Sequence, residues 1–387
     1  MQTFTYSYPV KVYFGEGAAR THLAAELAKV GPNVLLAYGG GSVKKVGIYD
    51  ELMTILKNAG KTITEFTGIM SNPTYEKVQE GARLARENSI DFILAVGGGS
   101  VIDCCKIVSA QALLEEDIWE LEYGKGGAPS AFLPMGAVVT AFGTGAEMNN
   151  GAVITNDALK MKSPLWGAFY DFAILDPVYT MTMPYGQVIS GAFDSLSHSM
   201  ETYMGVPRDV NYSDEINEAT QRNIIRNIRA TVADPTDVAA RSELVWAAAM
   251  AENGMLKIGK VTDFQCHMLE HQLGAYTDCN HGKGLSALHP VLYKRYLPGA
   301  APQFARLAVE VWGIDPEGKT ELELAEAFIA ALSAFIKEIG MPSTLSEMDI
   351  ALTEEEAQAI AKTTIRTGGC VKKFSDEELL EVLEECK

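Results

Sequence analysis

Apolar and polar residues follow two different patterns along the 387-residue chain, and the pattern changes near residue 180. In the first part, short apolar runs typical of strands alternate with stretches of helical periodicity. Strands are predicted at 34–38, 62–66, 91–96, 136–140, 152–154 and 172–175, helices at about 43–58 and 75–88, and residues 1–15 also alternate like a strand. Because strands that alternate with helices form parallel sheets covered on both faces, we predict an α/β domain with a parallel sheet.

The second part has almost no period-two alternation and contains long helical stretches instead. Helices are predicted at 187–203, 214–230, 238–256, 322–339 and 376–384. A chain of this length exceeds the size at which a single core stops growing. We therefore predict an α/β domain at 1–184 and an all-helical domain at 185–387, joined by a tight hinge near residue 180.

Composition and charge exclude several classes of protein. The net charge of −18 argues against nucleic acid as a partner, since a phosphate backbone requires clustered Lys and Arg. We find no apolar run near the roughly 20 residues needed to cross a bilayer, and no basic-then-apolar leader. The six cysteines lack the spacing of a disulfide framework. We expect a cytoplasmic protein that binds no nucleic acid and no membrane.

Two glycine-rich turns each follow a predicted strand. They consist of Gly39, Gly40, Gly41 and Ser42, and of Gly97, Gly98, Gly99 and Ser100. Neither matches the GxGxxG dinucleotide fingerprint, and each could be a structural turn. Together they predict loops that meet at the carboxyl ends of parallel strands, where phosphate-bearing ligands bind. A third loop, 140–147, interleaves glycines with Thr140 and Thr144, whose hydroxyls could reach a ribose or phosphate or could satisfy their own backbone.

Histidines are few, and several fall at helical spacing. Asp194 and His198 are four residues apart, as are His267 and His271, and His281 follows in a predicted loop. Glu270 is beside the second histidine of its pair, so the general base of a zincin HExxH motif would be misplaced. Three imidazoles with one carboxylate and no thiolate suit Fe²⁺ or Zn²⁺ with an open position for substrate.

The chain resembles the iron-containing, or group III, alcohol dehydrogenases over essentially its whole length. The motifs are Gly97-Gly98-Gly99-Ser100-x-x-Asp103, Thr140-x-x-x-Thr144-Gly145-x-Glu147, Leu175-Asp176-Pro177, and Asp194-x-x-x-His198 with His267, His271 and His281. The resemblance implies a Rossmann-like domain, a helical domain and a dinucleotide in the cleft between them. It also implies four metal ligands: Asp194, His198, His267 and His281. His271 would lie near the metal as a catalytic proton relay, or would merely orient a ligand.

The same resemblance implies residues that bind the cofactor. Gly97, Gly98 and Ser100 would cradle the pyrophosphate, Asp103 would reach the ribose or the nicotinamide, and Thr140 and Thr144 would line the adenosine side. Asn149 and Lys162 complete this set, with Lys160 as the alternative to Lys162. After the strand at 34–38 no acidic residue occurs before Asp50, so nothing in this loop repels a 2′-phosphate, which Ser42, Lys44 or Lys45 could bind. We therefore expect NADP as cofactor, with NAD possible.

The expected reaction is reversible hydride transfer between NADP(H) and a short-chain primary alcohol or aldehyde such as butanol or butanal. Within the family, the chain is most similar to NADP-dependent butanol dehydrogenases and broad-range aldehyde reductases, which implies a homodimer. One alternative is a metal-dependent lyase or cyclase of the dehydroquinate-synthase-like type, which would need more cations near the metal for its polyanionic substrate. A non-catalytic nucleotide or metal sensor is the other.

Overall fold

Six parallel strands form one sheet in the first half of the chain, as a computed structural model covering residues 2–387 describes it. The strands are β1 (Lys11–Phe14), β2 (Asn33–Tyr38), β3 (Thr62–Phe66), β4 (Phe92–Gly97), β5 (Met135–Val139) and β8 (Phe172–Leu175). Their order is β1-β8-β5-β4-β2-β3, and every neighbouring pair is parallel. The carboxyl ends of all six strands therefore lie along one edge of the sheet, and the predicted parallel sheet is confirmed.

A separate antiparallel hairpin accompanies this sheet. It consists of β6 (Gly151–Asn156) and β7 (Met161–Trp166), which pair only with each other among the described strands. The strand predicted at 152–154 exists, but its assignment to the parallel sheet is wrong. β7 was not predicted because its sequence, MKSPLW, contains a proline and little apolar alternation.

Helices cover the sheet. They are α1 (Ala18–Leu27), α2 (Ser42–Lys45), α3 (Ile48–Asn58), α4 (Tyr75–Glu87), α5 (Gly99–Gln111) and α6 (Pro177–Thr180). The single helix predicted over 43–58 is two helices, because Gly47 adopts a φ of 80°, which is incompatible with a continuous right-handed helix. The strand expected within 1–15 is limited to Lys11–Phe14, and residue 1 lies outside the described residues.

The central strands of the sheet are buried from both sides. Every residue of β4 and β5 is buried, as expected for central parallel strands. On one face, Leu36, Leu94 and Ile174 pack in a common apolar cluster with residues of α1 and α3. Asp176 follows β8 directly, and its side chain accepts a hydrogen bond from the backbone N–H of Gly17 at 2.7 Å. This bond explains why a polar residue is buried at the end of this strand.

The second half of the chain is helical, as predicted. Its helices are α7 (Tyr185–Tyr203), α8 (Tyr212–Ala233), α9 (Val238–Glu252), α10 (Gln265–Thr277), α11 (His281–Glu310), α12 (Glu321–Glu338), α13 (Glu354–Thr363) and α14 (Asp376–Glu385). Four of them, α8, α12, α13 and α14, begin with a capping box, a local signal that sets their first residue. Contacts within the chain divide it into Ser7–Pro184 and a unit of Tyr185–Lys387 together with residues 2–6.

Three helices of this unit, α10, α11 and α13, are absent from the predicted ranges, and the first two matter for the site. α10 spans Gln265–Thr277, and α11 runs for 30 residues with Pro290, Pro298 and Pro302 inside it. Prolines normally end a helix, so the sequence pattern concealed α11. Its first residue is His281, so the loop predicted at this residue is wrong. Among residues 2–387, no helix has both the length and the apolar character that a membrane span requires.

Packing at Gly136 provides a test of the sheet. A Cβ atom at this position of β5 would lie 2.2 Å from Cζ of the buried Phe172 ring, which stacks on Phe92. We expect Gly136→Ala to lower the free energy of unfolding by about 1–3 kcal/mol, as overpacking typically does. The control is Gly186→Ala, where a Cβ would meet nothing described within 4 Å. Urea denaturation measures both, and equal stability of the two variants would contradict the packing.

Candidate active site

Three helices bring one carboxylate and three imidazoles together. α7 carries Asp194 and His198 one turn apart, α10 carries His267, and α11 begins with His281. The Oδ1 atom of Asp194 lies 3.7 Å from Nε2 of His198, 3.5 Å from Nε2 of His267 and 3.5 Å from Nε2 of His281. The structure thus brings together the four residues that the family resemblance implied as ligands.

The spacing of these atoms fits a metal ion. Within the described chain, Oδ1 of Asp194 and Nε2 of His267 are buried without a hydrogen-bond partner, a costly state for polar groups unless something else satisfies them. Metal–ligand bonds of about 2.0–2.2 Å place neighbouring tetrahedral ligand atoms about 3.3–3.6 Å apart, close to the three separations measured from Asp194. The ligand atoms of Asp194, His267 and His281 all lie within 4.8 Å of one another, and His198 contacts this group through Asp194. One carboxylate and three imidazoles are donors that both Fe²⁺ and Zn²⁺ accept.

Electrostatics at the site favour a positive charge in the same place. Burial raises the pKa of Asp194, but the imidazoles of His198, His281 and His267 outweigh burial and leave this pKa below its usual value. Burial lowers the pKa of His267, but the carboxylates of Glu201 and Asp194 raise it to about 10. Burial lowers the pKa of His198. A divalent ion would replace the proton that these carboxylates attract.

Two further glutamates contact the imidazoles and were missed by the sequence analysis. Glu201 forms a hydrogen bond with Nδ1 of His267, and Glu270 forms one with Nδ1 of His281. Both carboxylates are completely buried. Glu201 could have been found, because it extends the spacing of Asp194 and His198 along one face of α7. Glu270 could not have been found in this way, because its partner His281 begins the next helix.

His271 lies beside the four predicted ligands. Its ring centroid is 6.2 Å from that of His267 and 5.5 Å from that of His281, and the residue is buried. The ring of Phe264 covers another side of the cluster, 5.7 Å from His198 and 4.9 Å from His267. His271 therefore has the proximity that either of its predicted roles requires.

The glycine-rich loops occupy the carboxyl edge of the parallel sheet, as predicted. Loop 39–42 follows β2, loop 97–100 begins at the end of β4, and loop 140–144 follows β5. The backbone N–H of Thr140 donates to the carbonyl of Gly97 at 2.9 Å, and that of Gly68 donates to Gly39 at 3.2 Å. The central strands β2, β4 and β5 thus place three loops side by side.

The glycines of the loops at 97–100 and 39–42 have different structural roles. A Cβ at Gly98 would lie 2.9 Å from Cβ of Ala141, and a Cβ at Gly99 would lie 2.2 Å from Oγ1 of Thr144. These glycines therefore permit close contact between loops, which is the structural interpretation. At Gly40 and Gly41 a Cβ would meet no described atom within 4 Å, so that loop has room for a ligand. The N-terminus of α5 has no side-chain cap among residues 2–387, so phosphate binding at this helix start stays a prediction.

Buried charges lie behind the loop at 97–100. Lys106, fully buried on α5, donates from Nζ to Oδ1 of Asn149 at 3.0 Å and also contacts Asp103 at 3.4 Å. Oδ2 of Asp103 accepts the N–H of Val153 at 2.9 Å, so in this structure Asp103 anchors the hairpin. Lys162 is buried on β7, whereas Lys160 is exposed at the hairpin turn. Contact of Asp103, Asn149 or Lys162 with a cofactor stays a prediction.

Lys44 has a carboxylate partner that the sequence analysis did not anticipate. Its Nζ lies 3.2 Å from Oε2 of Glu65, which β3 supplies next to β2. Glu65 also accepts a hydrogen bond from Tyr49 at 2.7 Å and another from Tyr38. An acidic residue is thus present near the loop at 39–42 after all, although it comes from the neighbouring strand.

Comparison with known proteins identifies the family. Residues 9–177 match the family model described as iron-containing alcohol dehydrogenase, and residues 188–386 match the C-terminal model of the same family. The probable NADH-dependent butanol dehydrogenase 1 of Bacillus subtilis is 38% identical over 389 residues, which is 99% of each chain. The NADPH-dependent aldehyde reductase YqhD of Escherichia coli is 36% identical over 354 residues, covering 90% of this chain and 89% of that one.

A solved structure agrees with this result. The crystal structure of NADH-dependent butanol dehydrogenase A from Thermotoga maritima superposes with a TM-score of 0.93 at 33% identity, covering 100% of this chain and 99% of that one. The chain therefore belongs to the iron-containing alcohol dehydrogenase family and is an NAD(P)-dependent alcohol dehydrogenase with a divalent metal.

Proposed function

We propose that this enzyme interconverts short-chain primary alcohols and aldehydes, such as butanol and butanal, with NADP(H) as its preferred cofactor and Fe²⁺ or Zn²⁺ as its metal. The observation that carries the proposal is the cluster of Asp194 with three imidazole Nε2 atoms at 3.5–3.7 Å. The names of its relatives, butanol dehydrogenase and aldehyde reductase, support the substrate class.

Asp194, His198, His267 and His281 hold the metal in this proposal. When bound, the metal supplies a Lewis acid for a carbonyl oxygen, and the nicotinamide supplies or accepts a hydride. The ring of Phe264 limits the access of water to His198 and His267. Reduction of an aldehyde takes up a proton at the alcohol oxygen, and the nearby ring of His271 holds and releases this proton.

We assign the cofactor to the loops at the carboxyl edge of the sheet and to residues of α5 and the hairpin near them. Residues 39–42 receive the 2′-phosphate, Gly97, Gly98, Gly99 and Ser100 receive the pyrophosphate, and Asp103, Thr140, Thr144, Asn149 and Lys162 complete the site. Space at Gly40 and Gly41 and the exposed Lys45 support binding of a 2′-phosphate. Lys44 can contribute only by exchanging Glu65 for that phosphate.

The remaining proposals concern assembly and location. All six cysteines carry free thiols, and this supports a cytoplasmic location, because the cytoplasm is a reducing environment. The homodimer implied by the family resemblance is tested by sedimentation of the purified chain. The lyase or cyclase alternative has no supporting observation, because the three relatives described above have names that denote oxidoreductases.

A direct assay tests the proposed reaction. We expect the purified, metal-loaded chain to oxidise NADPH only when an aldehyde is added, with butanal a better substrate than polyhydroxylated or phosphorylated aldehydes. A lyase, a cyclase or a sensor would not consume NADPH in step with aldehyde. Failure to oxidise NADPH or NADH with any aldehyde in the panel would refute the proposal.

Replacement of His267 tests the ligand assignment. We expect His267→Ala to lower bound metal and to abolish turnover while far-ultraviolet circular dichroism stays unchanged, because a four-ligand site cannot spare an imidazole. His22→Ala, which removes an imidazole stacked on Tyr13 in the α/β unit, serves as the control and should keep its metal. Normal metal content and rate in His267→Ala would exclude His267 as a ligand.

Replacement of His271 separates a proton relay from a ligand. We expect His271→Ala to keep nearly normal metal content but to lower kcat by roughly 100-fold and to alter its pH profile, as loss of an acid–base group does. Metal analysis and a pH series of kcat measure both effects. If this variant loses its metal, His271 is a ligand and one of the four assigned ligands is wrong.

Replacement of Gly39 tests the cofactor preference. A charge-assisted contact with the 2′-phosphate contributes about 1.5–3 kcal/mol, so kcat/KM for NADPH should exceed that for NADH by at least roughly tenfold. We expect Gly39→Asp to shift the ratio toward NADH through repulsion of the phosphate. Gly186→Asp adds the same charge in the helical unit and should leave the ratio unchanged. Equal kcat/KM for both cofactors in the unaltered enzyme would show that this loop holds no 2′-phosphate.

A further inference from the structure

Glu201 connects two helices through one buried carboxylate. It lies on α7, seven residues after Asp194 and three after His198, on the side of the helix that faces α10. Its Oε1 accepts the backbone N–H of Cys266 at 2.6 Å, and its Oε2 accepts that of His267 at 3.2 Å. Oε2 also bonds Nδ1 of the His267 ring. One side chain therefore holds both the backbone and the imidazole of His267.

This arrangement replaces a local helix cap. α10 starts after Phe264, which has a φ of 51° and gives no side-chain cap to the described helix. Cys266 and His267 are the second and third residues of α10, whose N–H groups a capping side chain normally accepts. Glu201 performs this function from α7. The start of α10 and the orientation of His267 are thus set by the same carboxylate.

Glu270 has the equivalent position for His281. It lies on α10, one turn after His267, and bonds Nδ1 of His281 at the start of α11. Close approach of the two helices requires glycine at 284, since a Cβ there would lie 2.8 Å from Cγ and 3.0 Å from Oε1 of Glu270. Gly284 therefore makes room for the carboxylate that orients His281.

We propose that Glu201 and Glu270 are positioning residues that fix the Nε2 atoms of His267 and His281 on the metal. A carboxylate on Nδ1 keeps the proton there and leaves the Nε2 lone pair for the ion. Both Nε2 atoms lie at the same distance, 3.5 Å, from Oδ1 of Asp194, as expected if the two contacts orient the rings toward one point. The proposal rests on the ligand assignment given under the proposed function.

Metal affinity of the glutamine variants tests the proposal. We expect Glu201→Gln and Glu270→Gln each to weaken Zn²⁺ binding to the metal-free chain by about 10- to 100-fold, the usual effect of removing such a partner. A neutral amide accepts the Nδ1 proton less strongly and permits the ring to turn. Competition with a chromophoric chelator measures the dissociation constant. Visible absorption of the Co²⁺-loaded variants should also change, because it reports the geometry of the ligands.

Two further variants distinguish positioning from general stability. Glu218→Gln removes another buried carboxylate of the helical unit, one that binds Arg306 and Tyr203. It should lower the melting temperature and leave Zn²⁺ affinity within about twofold. Gly284→Ala changes no charge and no ligand, yet it should weaken Zn²⁺ binding by displacing Glu270. This variant supports the proposal even if a glutamine variant folds poorly.

The outcomes separate this inference from the proposed function. If His267→Ala loses its metal while natively folded Glu201→Gln and Glu270→Gln bind Zn²⁺ as tightly as the unaltered chain, the positioning role is refuted and the ligand assignment stands. An equal loss of affinity in Glu218→Gln would also refute it, because the effect would then be one of stability. If the unaltered chain binds no metal, the ligand assignment itself fails.

Discussion

A carboxylate that is buried among imidazoles constrains how the helices of the second unit pack. Asp194 has only a few per cent of its surface exposed, and its Oδ1 atom has no hydrogen-bond partner among the described residues. An ionised carboxylate in such a place is costly unless positive charge compensates it. The three Nε2 atoms around it come from α7, α10 and α11, so the compensating ion has to be held by helices that are far apart in the sequence. The packing of these helices and the binding of the metal therefore depend on each other.

In the α/β unit, glycines permit close contact between loops. Its parallel strands bring three loops to one edge of the sheet, and the loops can lie side by side only because Gly98 and Gly99 lack a side chain. A glycine-rich loop alone is therefore weak evidence for a phosphate site. The more informative glycines are Gly40 and Gly41, where the described residues leave open space. Packing therefore explains the glycines of the loop at 97–100, whereas the loop at 39–42 has open space for a ligand.

Local patterns were sufficient to predict much of the molecule. The strands of the parallel sheet and the i, i+4 pairs on α7 and α10 depend on neighbours in the sequence, and the sequence pattern revealed them. α11 was concealed because three prolines interrupt its pattern, and tertiary packing overrides their local preference. Glu270 could not be recognised because its partner His281 lies on another helix, and the contact of Lys106 with Asn149 likewise joins residues far apart in the sequence. Glu201 continues the spacing of Asp194 and His198, but that spacing does not show that it binds His267. The four ligands themselves came from the family resemblance, since spacing alone left His271 and His281 open as alternatives.

X-ray absorption at the zinc edge of the Zn²⁺-loaded chain shows whether one carboxylate and three imidazoles hold one ion. We expect a first shell of nitrogen and oxygen only, at about 2.0–2.2 Å, with the outer-shell scattering of three imidazole rings. A sulfur shell at about 2.3 Å would contradict this ligand assignment, because it would place a cysteine on the metal. Absence of imidazole scattering would contradict it as well, since the ion would then lie outside the cluster around Asp194.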